Sequence, residues 1–437
     1  MFHYSIRKNV NFTLAITVVL LLILGSMVIF SATSAMEGSR GYIVRQITGI
    51  AIGLVLMVAF WLFDYRHFAD AVIPLWCANV FLILAPRIPG LGSTAGGSER
   101  WLAIGGRHLF QPSEPAKLIT ILLLAALVAR YQGEISDLRS FLKVLFSALI
   151  PAGLIMMIPD LGTGLVFVAI TLGILWVGGA RLRMVMTLLI VGLICMVGLV
   201  FTEVQYSRAN PTTRNGVVYH DGRFLQEYQL SRLIVFLDPD VDPQGASYNR
   251  HQSMIAIGSG ELMGKGLGSG SQAGGNFLPE RHTDFIFAVL GEELGFVGAV
   301  TLMGLYLALL MACLSICASS IDLYGSLIAA GIMSMWAFQI LENVGMTMGL
   351  MPITGIPLPF MSYGSSFLVT SLACVGVLLS IWRRRNYQSP IKGVDDDEAS
   401  SQSSRNMGYR KESWSAKNSS RSRSSLSRPS VTVRSGR

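Results

Sequence analysis

Apolar runs of membrane-crossing length recur along this chain, and no other feature restricts its fold as tightly. They fall at about 12–31, 43–63, 69–85, 116–130, 141–158, 161–177, 184–202, 284–314, 324–346 and 364–382. Each is close to the roughly 20 residues that a helix needs to cross a bilayer. Hydrocarbon offers no partner to a bare N–H or C=O, so such runs fold as helices that satisfy their own backbone. The expected fold class is all-α: a polytopic integral membrane protein with about ten transmembrane helices and a large extracytoplasmic loop between helices 7 and 8. Composition agrees, since 52% of the 437 residues are hydrophobic and only 14% are charged, with mean hydropathy +0.53. A soluble chain carries about a quarter charged residues.

The first run precedes Ala32-Thr33-Ser34-Ala35, a plausible signal-cleavage sequence, but its apolar core is longer than a signal peptide's. It reads as a retained first helix. Orientation follows from basic residues: Arg7 and Lys8, Arg66, Arg130 with Arg139 and Lys143, Arg181 with Arg183, and Arg383-Arg384-Arg385 share one side. The positive-inside rule makes that side cytoplasmic, with both termini there, in a bacterial cytoplasmic (inner) membrane by the resemblance given below. Arg40, Arg87, Arg100 and Arg107 dissent by falling outside. Membrane topology thus accounts for a pI near 9.3 without any nucleic acid partner.

Cys77, Cys195, Cys313, Cys317 and Cys374 lie in apolar segments without a CxxC pair and read as small core residues. No two of the six histidines form a helical metal pair, and no residue is assigned to a metal. Residues 388–437 are Ser- and Arg-rich, with the acidic run Asp395-Asp396-Asp397-Glu398. They lack the apolar content for a core and read as a disordered cytoplasmic tail, leaving 1–387 as the membrane domain.

Within that domain, Asn276 to Gly298 joins a polar, Pro-broken loop to a membrane-length helix. If Thr283 caps the helix, then Asp284, Ala288, Gly291, Glu292, Gly295 and Gly298 share one broad stripe and Glu293 faces away. Glu292 then lies roughly 12 Å below Asp284. Asp284 by itself could simply complement the helix dipole. Glu292 and Glu293 argue for function, because carboxylates inside a membrane are costly.

Other polar stretches gather on the same outer side: Trp101, Glu114, Lys117, Asp160, Arg232, Lys265, Glu280, Arg281 and Met351 to Phe360. In Pro-Ser-Glu-Pro-Ala-Lys, 112–117, Ser113 is a credible N-cap and Glu114 and Lys117 are i, i+3 neighbours. That pair is either a structural ion pair or a substrate contact, since a Lys at a membrane mouth can meet a phosphate. Asp160 at a turn is most simply a cap. The loop 203–283 far exceeds the length at which loops are usually functional or disordered. It reads as a lid or substrate-contact loop, with a plain connector as the alternative. Its Gly-rich part lacks GxxxxGK[ST] and sits away from nucleotide.

Taken together, Arg100-Trp101, QPSEPAK (111–117), PDLGT (159–163), FLDPDVDPQGASYN (236–249), FLPERHTDFIFAVLGEELGFVG (277–298) and GLMPITGIPLPFMSYG (349–364) resemble the SEDS family, whose members include RodA, FtsW and SpoVE. The likeness spans about 10–387, and LPERHTDF is more similar to RodA. Ser365 stands where the family commonly has glycine, and Ile158 replaces a frequent polar residue.

The resemblance implies a peptidoglycan glycosyltransferase that polymerises lipid II on the outer face. Implied partners are a class B penicillin-binding protein and other elongation-complex proteins, besides membrane lipid. It implies that Asp284 is the catalytic base, with Trp101, Glu114 and Lys117 in support. Asp160, Lys265, Glu280, Arg281 and Glu292 complete the candidate site.

A lipid-linked pyrophosphate donor arrives activated and leaves without protonation, so one carboxylate should suffice, unlike the pair of a glycoside hydrolase. Lys117, Arg281 or a divalent cation, Mg or Mn, is expected to steady the leaving group, and no organic cofactor is needed. Two rival readings stand beside it: a transporter that flips the precursor along Glu292 and Glu293, and a scaffold without chemistry.

Overall fold

The computed structural model describes residues 10–385, apart from 35, 37, 89–91, 96–97, 105–106, 134, 136, 158–159, 210–211, 215–216, 220–226, 238–245 and 275–276. The Ser/Arg-rich tail lies outside the described residues, as do Pro159, Asn276 and the Asp-Pro-Asp centre of FLDPDVDPQGASYN.

The helices are α1 (Phe12–Thr33), α2 (Ser39–Leu62), α3 (Val72–Leu84), α4 (Ser113–Ala129), α5 (Leu138–Met157), α6 (Leu161–Val177) and α7 (Leu182–Ala209). After these come α8 (Glu227–Leu237), α9 (Ala246–Ser259), α10 (Ser271–Gly274), α11 (Ile286–Ser319), α12 (Leu323–Thr347) and α13 (Ser365–Arg384). Seven of them, α1, α2, α5, α7, α11, α12 and α13, are long and apolar enough to cross a membrane, and α3 and α6 are shorter apolar helices. With α4 they account for every apolar run read from the sequence. The protein is an all-α, multi-pass membrane protein.

Strands are few. β1 (Gly92–Ala95), β2 (Ser98–Ile104) and β3 (Arg107–Phe110) form an antiparallel sheet in the order β1-β2-β3. β4 (Thr212–Arg214) and β5 (Val217–Tyr219) make a hairpin. Both lie in stretches that the sequence marked only as loops. The 203–283 region is likewise more ordered than a plain connector, because α8, α9 and α10 fall within it.

Buried shares of 67% in α12 and 83% in α13, against 6% in α7, place the last two helices centrally and α7 at the lipid-facing edge. α13 packs along α2, and α12 packs against α11, α6 and α4. Polar side chains start several helices: Asn11 accepts from Leu14 N at 3.0 Å, Asp160 from Thr163 N at 3.1 Å and Asp322 from Gly325 N at 2.6 Å. At that end of α12, Asp322 also accepts from Tyr65 Oη at 2.7 Å and from Arg66 Nε at 3.0 Å. Burial raises the Tyr65 hydroxyl's pKa, and the Asp322 bond adds to the effect.

Two expectations about α11 change. Its N-cap is Phe285, while Thr283 Oγ1 instead bonds Glu280, so Asp284 precedes the helix. The 34-residue helix also breaks at Gly295, whose φ of 62° and ψ of −160° only glycine adopts readily. The break would leave backbone groups bare in the membrane, and the chain just after α9 takes them up. Lys265 N and Gly266 N donate to the Glu292 and Glu293 carbonyls at 3.0 and 2.9 Å. Phe296 N and Val297 N donate to the Glu261 and Leu262 carbonyls at 2.9 and 3.1 Å. A Cβ at Gly295 would fall 2.4 Å from Gly264 N, whereas one at Gly304 in the same helix would meet nothing within 4 Å. Gly295→Ala should therefore cost about 1–3 kcal/mol in thermal unfolding of the detergent-solubilised protein. Gly304→Ala should leave the transition within about 0.5 kcal/mol of wild type.

Candidate active site

Asp284 sits on a short non-helical segment that is tied to a second one. Ser362 Oγ donates to Thr283 O at 2.7 Å and accepts from Leu358 N at 2.7 Å. Tyr363 N donates to His282 O at 2.9 Å. From α12, the two N–H groups of Asn343 reach Asp284 O at 2.8 Å and Ile356 O at 2.7 Å. Tyr306 Oη on α11 holds Pro359 O at 2.7 Å. Glu280 and Phe360 hold φ values of 52° and 62°. Non-glycine residues rarely adopt these angles unless surrounding contacts impose them. His282 packs between Tyr42, edge-on at a centroid distance of 5.1 Å, and Tyr363, tilted at 5.4 Å.

These segments form one wall of a cavity of about 370 Å³. Asp284 faces it together with Trp101 from β2, Glu114 and Lys117 from α4, Asp160 at the start of α6, Arg232 from α8 and Glu280. A neighbouring chamber of about 560 Å³, between α2 and α13, shares Trp101, Tyr363, Gly364 and Ser366 and adds Arg45, Gly49 and Ile52. Asp284 is absent from that second wall.

Burial pushes the Asp284 carboxyl up to about 6; Arg232 opposes the shift and Glu280 adds to it. Gly355, φ +76°, brings bare backbone against this pair: a Cβ there would fall 3.1 Å from Asp284 Oδ2 and 3.2 Å from Arg232 Nη1. Lys117 Nζ pairs with Glu114 at 2.8 Å, with the side chains only 3% and 5% exposed, and lies 5.3 Å above the Phe367 ring. Asp160 both caps α6 and faces the cavity.

Trp101, Glu114, Lys117, Asp160, Glu280 and Asp284 therefore converge, whereas Lys265, Arg281 and Glu292 do not line this cavity. Lys265 Nζ pairs with Glu292 at 2.7 Å, within the splice across the α11 break. Arg281 is 3% exposed and donates Nε to Ala32 O at 2.8 Å, turned toward α1. Arg232 stands at the cavity instead. From sequence, Arg232 falls on the outer side without an assigned role, and its position in the long loop carries no stronger signal.

The family description "Cell cycle protein", covering FtsW, RodA and SpoVE, matches residues 11–387. The chain belongs to the FtsW/RodA/SpoVE family. Peptidoglycan glycosyltransferase RodA of Treponema pallidum (strain Nichols) is 35% identical over 431 residues, covering 86% of this chain and 98% of that protein. Stage V sporulation protein E of Bacillus subtilis (strain 168) is 36% identical over 390 residues, covering 87% and 99%. A chain of a peptidoglycan synthase complex, solved for the structural coordination of polymerization and crosslinking, superposes with a TM-score of 0.67 at 29% identity, covering 87% and 99%. These FtsW/RodA/SpoVE relatives match almost end to end, so the shared region includes both walls of the cavity.

Both charges of the Glu114–Lys117 pair are withdrawn from water, and removing one leaves the other buried alone. Lys117→Met should cost about 3–5 kcal/mol in unfolding. The double substitution Glu114→Gln, Lys117→Met should recover most of that loss without recovering activity, measured by thermal unfolding and turnover on one preparation.

Proposed function

We propose that this chain is a peptidoglycan glycosyltransferase that polymerises lipid II into glycan strands on the outer face of a bacterial cytoplasmic membrane. The observation that carries the reading is Asp284, a half-buried carboxylate facing a cavity that also presents Lys117 and Arg232. A carboxyl whose pKa is raised to about 6 is ionised at neutral pH, yet is a stronger base than an ordinary surface aspartate. Asp284 takes the proton of the acceptor sugar's 4-hydroxyl as that oxygen attacks the donor anomeric carbon. The bond from that carbon to the pyrophosphate oxygen breaks, with inversion. Lys117 and Arg232 neutralise the departing pyrophosphate.

Four carboxylates and two cations line the cavity, and Glu114 is already held by Lys117. Among the described residues no three His, Cys, Asp or Glu side chains converge as a metal cluster. The described residues thus do not make a metal site of their own, and no step is routed through a divalent cation.

The rival reading as a transporter relied on Glu292 and Glu293. Glu292 accepts from Lys265 Nζ, Ser271 Oγ and Gln272 N, and Glu293 accepts from Ser31 Oγ. Carboxylates engaged in this way serve a fixed scaffold better than a moving polar track. Arg281 after Pro-Glu supports a place in elongation, with both termini cytoplasmic. A class B penicillin-binding protein and other elongation-complex proteins are the partners.

Purified protein supplied with lipid II in detergent tests the reading, because no membrane sidedness remains there for a transporter to act on. Wild type should yield glycan chains, and the rate should climb with pH about a midpoint near 6 as Asp284 loses its proton. Asp284→Asn should lower the rate by at least about a hundredfold while keeping its elution profile. Full polymerisation by that variant would remove Asp284 from the mechanism.

A further inference from the structure

α12 carries a second polar stripe that the reaction above does not use. Trp336, Gln339, Glu342 and Asn343 follow one another at helical spacing, and all are buried, Glu342 at 2% exposure. Charged side chains within a membrane span are costly. Among the described residues no Lys or Arg forms an ion pair with Glu342. Among those residues its Oε2 has no hydrogen-bond partner, and neither end of the Gln339 amide has one. A leucine would occupy this site at lower cost, so the carboxyl must supply something that a leucine lacks.

Its one firm contact shows what that is. Thr354 Oγ1 donates to Glu342 Oε1 at 2.5 Å. Thr354 precedes Gly355, the residue whose bare Cα lies against Asp284 and Arg232, and Ile356 O is held by Asn343. The three-residue turn is therefore gripped at both ends from adjacent positions of one helix. Thr354 is held by Glu342 and Ile356 by Asn343, with Gly355 between them against the carboxylate. Gly162, beside Asp160, backs the same turn, since a Cβ there would fall 2.9 Å from Thr354 O.

We propose that Glu342 is a positioning residue. By accepting the Thr354 hydroxyl it fixes the Thr354–Ile356 turn and, through Gly355, the geometry of Asp284 and Arg232. This rests on the reading of Asp284 as the catalytic base. The role requires an acceptor oxygen and no charge, so glutamine can fill it and leucine cannot.

The test compares full-length wild type, Glu342→Gln, Glu342→Leu, Thr354→Val and the double Glu342→Leu, Thr354→Val, with lipid II turnover and amide hydrogen exchange read on the same preparations. Glu342→Gln should keep kcat within about twofold. Glu342→Leu and Thr354→Val should each lower kcat about tenfold or more with little change in KM. The double variant should be no worse than the poorer single one, because both remove the same bond. Amides of residues 353–358 should exchange faster in Glu342→Leu and as in wild type in Glu342→Gln.

Full activity of Glu342→Leu, additive losses in the double variant, or a Gln variant as poor as the Leu variant would each overturn the proposal. Should Glu342→Leu fail to fold, Thr354→Val decides by the same criteria. A wild-type protein that makes no glycan would remove the proposed function. The exchange of 353–358 would still judge the Glu342 contact, and unchanged exchange in Glu342→Leu would sink it.

Discussion

The site depends on one constraint: irregular backbone buried within the protein must find its hydrogen bonds there. Asp284 lies on such backbone, just ahead of α11, and faces a second irregular stretch that runs from Met348 to Gly364 between α12 and α13. Neither stretch can satisfy itself, and a buried amide or carbonyl left bare costs about 1–3 kcal/mol. They are therefore laced together, through Ser362 to Thr283 and Tyr363 to His282, and pinned from outside by Asn343 and Tyr306. The lacing holds a carboxylate at a cavity wall in a position that no continuous helix would give it.

This division between helix and lacing explains what was legible in the sequence. Spans could be read from hydropathy alone, because hydrocarbon leaves a long apolar segment no choice but helix. Glu114 and Lys117, Asp160, and Glu280 with Asp284 could be picked out as polar groups on one side of the membrane. That they meet around one cavity follows from the packing of α4, α6 and the two irregular stretches, and local pattern carries no record of such packing. Arg281 illustrates the limit. It neighbours the site in sequence, yet its side chain goes to Ala32 O, while Arg232, more than fifty residues from Asp284, faces the cavity. Glu342 is the opposite case, since an acidic residue within a span is in plain view and only its partner Thr354 is hidden.

Charge at the cavity sharpens the chemistry. Carboxylates outnumber cations around Asp284, and burial together with Glu280 disfavours the ionised form while Arg232 restrains the shift. The balance leaves a base that is ionised at neutral pH but avid for a proton. In the proposed reaction it also places on Lys117 and Arg232 most of the work of holding the pyrophosphate. Lys117 can do this while paired, because its ammonium carries three donors and Glu114 engages only part of that capacity.

Three intramembrane carboxylates outside the cavity share a physical logic. Glu292 receives Lys265, Ser271 and Gln272 N from the stretch that splices the break at Gly295. Glu293 receives Ser31 from the end of α1, and Glu342 receives Thr354 from the turn beside Asp284. A continuous helix has spent its own carbonyls on itself and offers irregular backbone nothing to hold. A carboxyl on its surface restores acceptors, with two oxygens and about four lone-pair sites reaching sideways from the helix axis. Read in this way, the acids of α11 and α12 anchor non-helical chain to the helices that cross the membrane. Of the four carboxylates at the cavity, Glu114 receives Lys117, Asp160 caps α6 and Glu280 receives Thr283 Oγ1, so the proposed chemistry falls to Asp284.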